Sequence, residues 1–291
     1  MTFATSFTPA SRTQAVVPSD VLEMMRKARA LEQSGKPVAY LVQGEPDFDT
    51  PGHITEAAYR ALRAGYTHYP PAEGYPELRQ AVAEKLRHKN GVDYDPASEI
   101  LITNGAALGL YLALNAVVEP GDEVLLPDPA FGAYAMIIGS AGGRVTRFPL
   151  RLEGTRRRFD REAFLACVSP ETRAVVLCSP DNPTGHVYSE ADLRAVGDAA
   201  AQHGFTVITD EVYEDFIYGG ARHRSLAALE PAYRERTILV NSFSKTYAMT
   251  GWRLGYNAAP AAIMAAMTKM NAVAGRAAAA FTQQAGIAAL Q

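Results

Sequence analysis

The chain has 291 residues and a mass of 31.3 kDa, a length that falls between one large domain and two. With 48% hydrophobic and 20% charged residues and a mean hydropathy of −0.09, it sits in the ordinary globular band, which excludes a disordered or collagen-like chain. A net charge of −3 and a pI near 6.1 supply no global field for nucleic acid or anionic lipid, and no apolar run approaches the roughly eighteen residues of a membrane span.

Ser19 reads as an N-cap before Val21, Leu22, Met24, Met25 and Ala28, with Gly35 past the end, which predicts an early helix. Val38–Val42 reads as a short strand and Gly44-Glu45-Pro46-Asp47 as a turn. Helices are expected at about 53–64 and 75–89, the second starting just after Pro76 or with Pro76 in its first turn.

From residue 100 the pattern becomes strand–helix alternation. Short apolar runs occur at Ile100–Thr103, Glu123–Leu126, Arg144–Phe148, Ala174–Cys178, Phe205–Thr209, Thr237–Val240 and Arg253–Asn257, and helical stretches such as 106–118 and 190–203 separate most of them. Such runs between helices predict an α/β fold: a three-layer sandwich around a seven-stranded, mostly parallel sheet. Only about a dozen residues join Val240 to Arg253. A parallel crossover needs about that much chain with a helix in it, and none is present, so the seventh strand is expected to run antiparallel.

Arg144 to Arg161 carries seven arginines against two acids, with Phe148 and Phe159 as its only aromatics, and reads as a solvated surface segment rather than a base-stacking one. Residues 261–291 hold thirteen alanines and no Asp or Glu, with helical phase at Ile263, Met264, Met267 and Met270, a break near Gly275, and a second apolar helix through Phe281 and Ile287. The sequence stops inside that helix without a C-cap, which reads as an incomplete element. Cys167 and Cys178 make neither a zinc site nor a disulfide framework and point to a reducing compartment, most simply the cytoplasm. The six scattered histidines include no pair four residues apart, so no metal site is expected.

Ligands of open α/β sheets bind beyond the carboxyl ends of the strands. The residues that follow the predicted strands are Asn104-Gly105-Ala106-Ala107, then Pro127 through Phe131, then Ser179-Pro180-Asp181-Asn182-Pro183-Thr184-Gly185, then Asp210-Glu211-Val212-Tyr213, then Ser242-Phe243-Ser244-Lys245. Taken singly, these are a turn glycine, a turn asparagine, a helix cap and a surface lysine. Together they suit one cofactor. Pyridoxal 5′-phosphate (PLP) needs an amine for its aldehyde, an acid beside its pyridine nitrogen, donors at its phenolic oxygen and an anion site for its phosphate. Lys245, Asp210, Asn182 with Tyr213, and Gly105–Ala107 with Ser242 and Arg253 fill those roles in turn, and Phe131 supplies a flat face for the ring.

Five stretches, in this order, resemble the class I/II aminotransferases of the aspartate aminotransferase superfamily: Gly44-Glu45-Pro46-Asp47-Phe48, Tyr69-Pro70-Pro71, Ser179 through Gly185, Thr209 through Tyr213, and Ser242 through Lys245 continuing to Gly251-Trp252-Arg253-Leu254-Gly255-Tyr256. The resemblance implies the PLP-dependent transferase fold and a transaminase moving an α-amino group between an amino acid and a 2-oxo acid. It implies that Lys245 forms the Schiff base and shuttles the proton, that Asp210 pairs with the pyridinium nitrogen, and that Tyr213 and Asn182 hold the phenolic oxygen. Arg253, Ser242 and Ser244 would serve the phosphate, helped by the amides of Ala106 and Ala107. Relatives often carry a hydroxyl residue where these alanines stand. Tyr69 would reach the phosphate in a neighbouring subunit, which implies a homodimer with shared active sites, and Gly44 and Asn182 would contact the substrate.

The same resemblance divides the chain into an N-terminal arm with a small-domain segment (1–40), a large PLP-binding domain (41–258) and the start of an incomplete C-terminal small domain (259–291). The arginine that clamps the substrate carboxylate in relatives lies in that last domain and has no assignable match here. A PLP-dependent C–S β-lyase of the same fold would use the same lysine and aspartate, and a cofactor-binding fragment without turnover is the third reading.

Overall fold

The structure, a computed structural model, describes residues 9, 10, 13, 20–42 and 44–291. The elements in chain order are α1 (Asp20–Gln33), α2 (Gly52–Arg63), α3 (Pro76–Lys85) running into a π-helical turn (Leu86–Asn90), β1 (Ile100–Thr103), α4 (Gly105–Val117), β2 (Glu123–Asp128) and α5 (Gly132–Ser140). There follow β3 (Arg144–Pro149), β4 (Arg151–Glu153), β5 (Arg156–Arg158), α6 (Arg161–Cys167), β6 (Thr172–Cys178), α7 (Glu190–His203) and β7 (Thr206–Asp210). The last are α8 (Pro231–Arg234), β8 (Thr237–Ser242), β9 (Gly255–Ala258), α9 (Ala261–Ala274) and α10 (Ala280–Leu290).

Seven strands form one sheet in the order β1-β9-β8-β7-β6-β2-β3. The pairs from β8 to β3 are parallel, and β9 is antiparallel to both of its neighbours, β1 and β8. The short link before β9, too short for a helical crossover, has the consequence expected of it.

Alternation along the strands sends side chains to two sets of helices. In β6, Ala174, Val176 and Cys178 face the core shared with α4, α5 and α9, while Val175 and Leu177 face the core shared with α6 and α7. In β1, Leu101 takes the first side, while Ile100 and Ile102 pack with Leu78 and Val82 of α3. Helices therefore cover both faces, as a parallel sheet of near-continuous apolar strands requires.

Local signals fix several helix ends. Ser189 and Asp192 form a reciprocal capping box on α7, and Gly204 closes it at φ 83°. Asp160 caps α6, and Gly91 ends the π-turn at φ 73°. Ser19, expected to cap α1, lies outside the described residues; Gly35 follows that helix at φ 80°.

One expectation needs correction: Val38–Val42 is not a strand, since Leu41 is 92% exposed and the run meets no sheet edge with which to pair. The arginine-rich segment is solvent-facing, and within it β4 and β5 form a small antiparallel hairpin, Arg151 opposite Arg158 and Glu153 opposite Arg156. Helices α9 and α10 pack against the elements before them. Met264 and Met267 of α9 lie in the core with α4 and the sheet, and Ala285 of α10 packs with Ile54 of α2 and Leu78 of α3. A sequence shows that a helix has an apolar face, not which layer covers it.

Candidate functional site

The parallel strands end at one edge of the sheet, and β9, running the other way, begins there. Their loops meet around Asp210, the last residue of β7, which is 4% exposed. One carboxylate oxygen accepts from the Tyr134 hydroxyl at 2.9 Å and the other from the Val212 amide at 3.2 Å. Among the described residues no Lys, Arg or His approaches within ion-pair distance of it. Burial pushes its pKa up to about 6, against the hydrogen bonds from Tyr134 and Val212. Such a carboxylate is suited to a cationic partner that the protein itself does not supply.

Lys245 lies across the site. Its ammonium donates to the Gly44 carbonyl and stands 5.8 Å from the centroid of the Tyr213 ring. Burial lowers its pKa, and the positive charge of Arg253 acts the same way, while Glu45 and Asp210 oppose them. An amine that gives up its proton more readily is a better nucleophile and base. The Tyr213 hydroxyl accepts from the Asn182 amide at 3.4 Å, and burial raises its pKa to about 12, which keeps it a hydrogen-bond donor at neutral pH.

The third part is an anion cradle. Gly105 opens the 13-residue helix α4 at φ 76°, and its N-cap residue Asn104 makes no side-chain cap, which leaves the first amides unclaimed by that side chain. Arg253, itself at φ 55°, holds its guanidinium over Gly105: a Cβ on Gly105 would meet Nη2 at 2.7 Å. Its Nη1 donates to the Thr250 carbonyl at 3.0 Å. Ala106 is half-buried and Ala107 exposed at the same helix end. The Ser242 hydroxyl lies 2.8 Å from Ser244 Oγ and 3.0 Å from the Leu254 carbonyl, so both serines belong to this corner but Ser242 is turned into its own loop.

Gly255 is required by close approach. A Cβ there would stand 2.7 Å from the Gly105 carbonyl carbon, 2.8 Å from the Ala106 nitrogen and 2.9 Å from the Asn241 oxygen, all of them backbone atoms that cannot swing away. Gly255→Ala is expected to cost about 1–3 kcal/mol and to push the helix corner off Arg253. Thermal melting, with phosphate-dependent stabilisation as a second readout, checks both effects.

Phe131 is 38% exposed and meets Tyr134 edge-to-face at 5.5 Å, so its ring stands next to the residue that holds Asp210. Tyr69 is not brought to this cluster; it is 89% exposed, and its recorded neighbour is the Arg276 guanidinium at 5.4 Å from its ring. An open cavity of about 730 Å³ is lined by Arg253 together with Glu45, Phe48, Asn104, Trp252 and Phe281 among others.

Sequence reasoning missed Tyr134, whose only signal was a phenol three residues after Phe131 inside an apolar helix. It also missed a buried polar cluster behind β7. Glu211, Glu214 and His223 there bring ligand atoms within 4.8 Å of one another, but the Lys85 ammonium donates to Glu214 and the Asn90 amide to both carboxylates, so these oxygens are already engaged.

A half-buried amine, a buried carboxylate with no ion pair among the described residues, a hydroxyl–amide pair and an uncapped helix end under an arginine are the donor set that PLP requires, and the residues present fit that group. The chain belongs to the aminotransferase class I and II family, whose model matches residues 36–291. Members of that family are PLP-dependent.

It is 45% identical over 258 residues to the aspartate aminotransferase of Pyrococcus abyssi, covering 89% of this chain and 65% of that relative. With the aspartate aminotransferase of Geobacillus stearothermophilus it shares 38% over 264 residues, covering 90% of this chain and 66% of the other. Among solved structures, an aspartate aminotransferase double mutant of Thermus thermophilus superposes with a TM-score of 0.92 at 37% identity, covering 98% of this chain and 73% of that one. The chain thus spans about two thirds of the length of the curated relatives it matches.

Proposed function

We propose that the protein is a PLP-dependent aminotransferase transferring an α-amino group between an amino acid and a 2-oxo acid. The observation that carries this reading is Asp210: a buried carboxylate that, among the described residues, has no cation within ion-pair distance, on the same sheet edge as the half-buried amine of Lys245. The names of relatives, among them aspartate aminotransferases and an aromatic-amino-acid aminotransferase of Thermococcus litoralis, support the reaction class.

When bound, the cofactor supplies an aldehyde that takes up the amino group and a ring that accepts the electrons released at the substrate α-carbon. The protein's residues do the rest. Lys245 Nζ would be the amine that holds the aldehyde and, when free, would carry the proton at the substrate α-carbon. Asp210 holds the pyridine nitrogen protonated by its negative charge. Tyr213 and Asn182 donate to the phenolic oxygen. Arg253, the amides of Ala106 and Ala107, and the hydroxyls of Ser242 and Ser244 hold the phosphate, and Phe131 covers the ring. Gly44 and Asn182 lie on the substrate side.

Tyr69, so fully exposed in one copy, serves in this reading the active site of a second, giving a homodimer with shared sites. Among the described residues no helix is long and apolar enough to cross a membrane, and both cysteines are unpaired, which supports a cytoplasmic setting. In this reading the chain divides into an N-terminal arm and small-domain segment (1–40), a large PLP-binding domain (41–258) and the start of a small domain (259–291).

A screen of amino acids against the PLP-loaded chain tests the proposal. The expected result is conversion of the aldehyde spectrum to that of the amine form, reversed by a 2-oxo acid. Pyruvate release from cystathionine with no 2-oxo acid present would replace the transaminase reading by the β-lyase one. No spectral change with any amino acid would leave a binding fragment.

A further inference from the structure

The turn after β7 points in two directions. Asp210 and Tyr213 face the cofactor cradle, while Glu211 and Glu214 point to the other side and enter a polar cluster that the proposed chemistry does not use. Glu211 is 1% exposed. One of its oxygens accepts from Ser225 Oγ at 2.8 Å and Thr209 Oγ1 at 3.2 Å. The other accepts from the Asn90 amide at 3.2 Å and meets His223 Nε2 at 3.0 Å. Glu214, 6% exposed, accepts from the Lys85 ammonium and, at 2.7 Å, from the same Asn90 amide. Lys85 also reaches Asn90 Oδ1 at 2.9 Å and the Tyr256 hydroxyl at 3.0 Å.

We propose that the Glu211–His223 pair is a positioning device for the cofactor site, fixing the turn that sets the Asp210 carboxylate and the Tyr213 hydroxyl relative to each other. The inference rests on the reading of these two residues as PLP contacts. The geometry supports it directly. Glu211 is the residue next to Asp210, its amide donates to Val240 of β8 at 2.9 Å, and its carbonyl accepts from the Glu214 amide at 3.0 Å to close the turn around Tyr213. A four-partner carboxylate in the first position of that turn leaves its backbone little freedom, and Tyr213 meets Asn182 at only 3.4 Å, a contact that a small shift would break.

Charge balance explains why a histidine stands there. The cluster encloses two carboxylates, Glu211 and Glu214, and one largely buried ammonium, Lys85, with Lys89 at its rim, 3.5 Å from Glu214 and bonded to Asp215. Tyr256 of β9, Tyr247 and Tyr94 are further titratable groups around it; Asn90 and Ser225 are neutral. A protonated His223 supplies the second interior positive charge. Burial works against that charge, and Lys85 does too, but the Glu211 carboxylate, helped by Glu214, outweighs them and raises the imidazole pKa. Because the folded value lies above the unfolded one of 6.5, the pair's contribution is complete below that value and is lost as pH rises through the raised one.

The test uses PLP-loaded protein and two variants. Glu211→Gln should raise the pKa of the visible cofactor band by about half a unit to one unit, the worth of a weakened hydrogen bond at the phenolic oxygen. His223→Gln leaves the Glu211 charge in place and removes only the titration. The ratio of its PLP dissociation constant to that of the wild type should therefore change with pH, about threefold between pH 6 and pH 9. Thermal melts of the cofactor-free proteins run alongside. Lower melting temperatures with an unmoved band pKa and a pH-independent ratio would overturn the inference, reducing the pair to a fold-stabilising contact. Failure of the wild type itself to bind PLP would instead overturn the cofactor reading, and the inference with it.

Discussion

Lys245→Ala is expected to abolish the visible band that PLP develops on the wild-type protein, and to lower amino-group transfer by more than about 10⁴-fold, beyond what loss of a general base alone costs. The reason lies in the placement of the amine. Lys245 Nζ bonds to the Gly44 carbonyl on one side and stands over Tyr213 on the other, and burial together with Arg253 eases its deprotonation. Lys85 is committed to Glu214, Asn90 and Tyr256, and Lys89 to Asp215, so neither replaces it. Lys245→Arg makes a useful companion. It keeps the positive charge near Asp210 and Glu45 but does not condense with an aldehyde, so cofactor retention should survive better than in the alanine variant while the band stays absent. Absorption spectra of the reconstituted proteins decide the matter. A wild-type band in either variant would mean that a different amine holds the cofactor.

How far the sequence carries depends on whether a property is local. The buried strands were legible because a run such as Ala174–Cys178 declares itself without reference to its neighbours. The convergence of Lys245, Asp210, Asn182 and Gly105 was legible because each follows a strand whose end was predicted, a parallel sheet places such ends together, and Arg253 stands just before the antiparallel strand that begins at the same edge. Tyr134 was not, since nothing in Gly132–Ser140 says which face of that helix looks at Asp210. The Lys85–Glu214 and Asn90–Glu211 contacts join residues more than 120 positions apart, and pairings at that distance leave no periodicity to read. Val38–Val42 shows the converse, a strand-like pattern that meets no edge. Helices α9 and α10 show the same limit at larger scale: their apolar faces were visible, but not that α4, α2 and α3 cover them.

The affinity of the wild-type protein for PLP is expected to rise with pH through about 6, and Asp210→Asn is expected to remove that rise. In the cofactor-free state Asp210 is enclosed with Tyr134 and Val212 as its hydrogen-bond donors, and burial holds its pKa up to about 6, above the ordinary 3.8. For an acid whose folded pKa is the higher, stability is greatest below about 3.8 and falls as pH rises through about 6, a loss of roughly 3 kcal/mol by neutral pH. A protonated pyridine nitrogen beside the carboxylate offsets that loss, because it supplies the missing counter-charge where solvent cannot. Binding therefore favours the ionised carboxyl, and below its pKa each unit of pH should weaken retention by up to about tenfold. PLP has titrations of its own, so the informative quantity is the ratio of wild-type to Asp210→Asn dissociation constants across pH 5–8, in which the ligand's share cancels. The neutral variant should also be the more heat-stable cofactor-free protein at pH 8 and lose that advantage at pH 4, while its transamination falls by about 10²-fold or more for want of a charge on the ring nitrogen. A ratio that stays flat across that range would detach Asp210 from the pyridine nitrogen, and near-normal turnover in the variant would do so even if the binding profile moved.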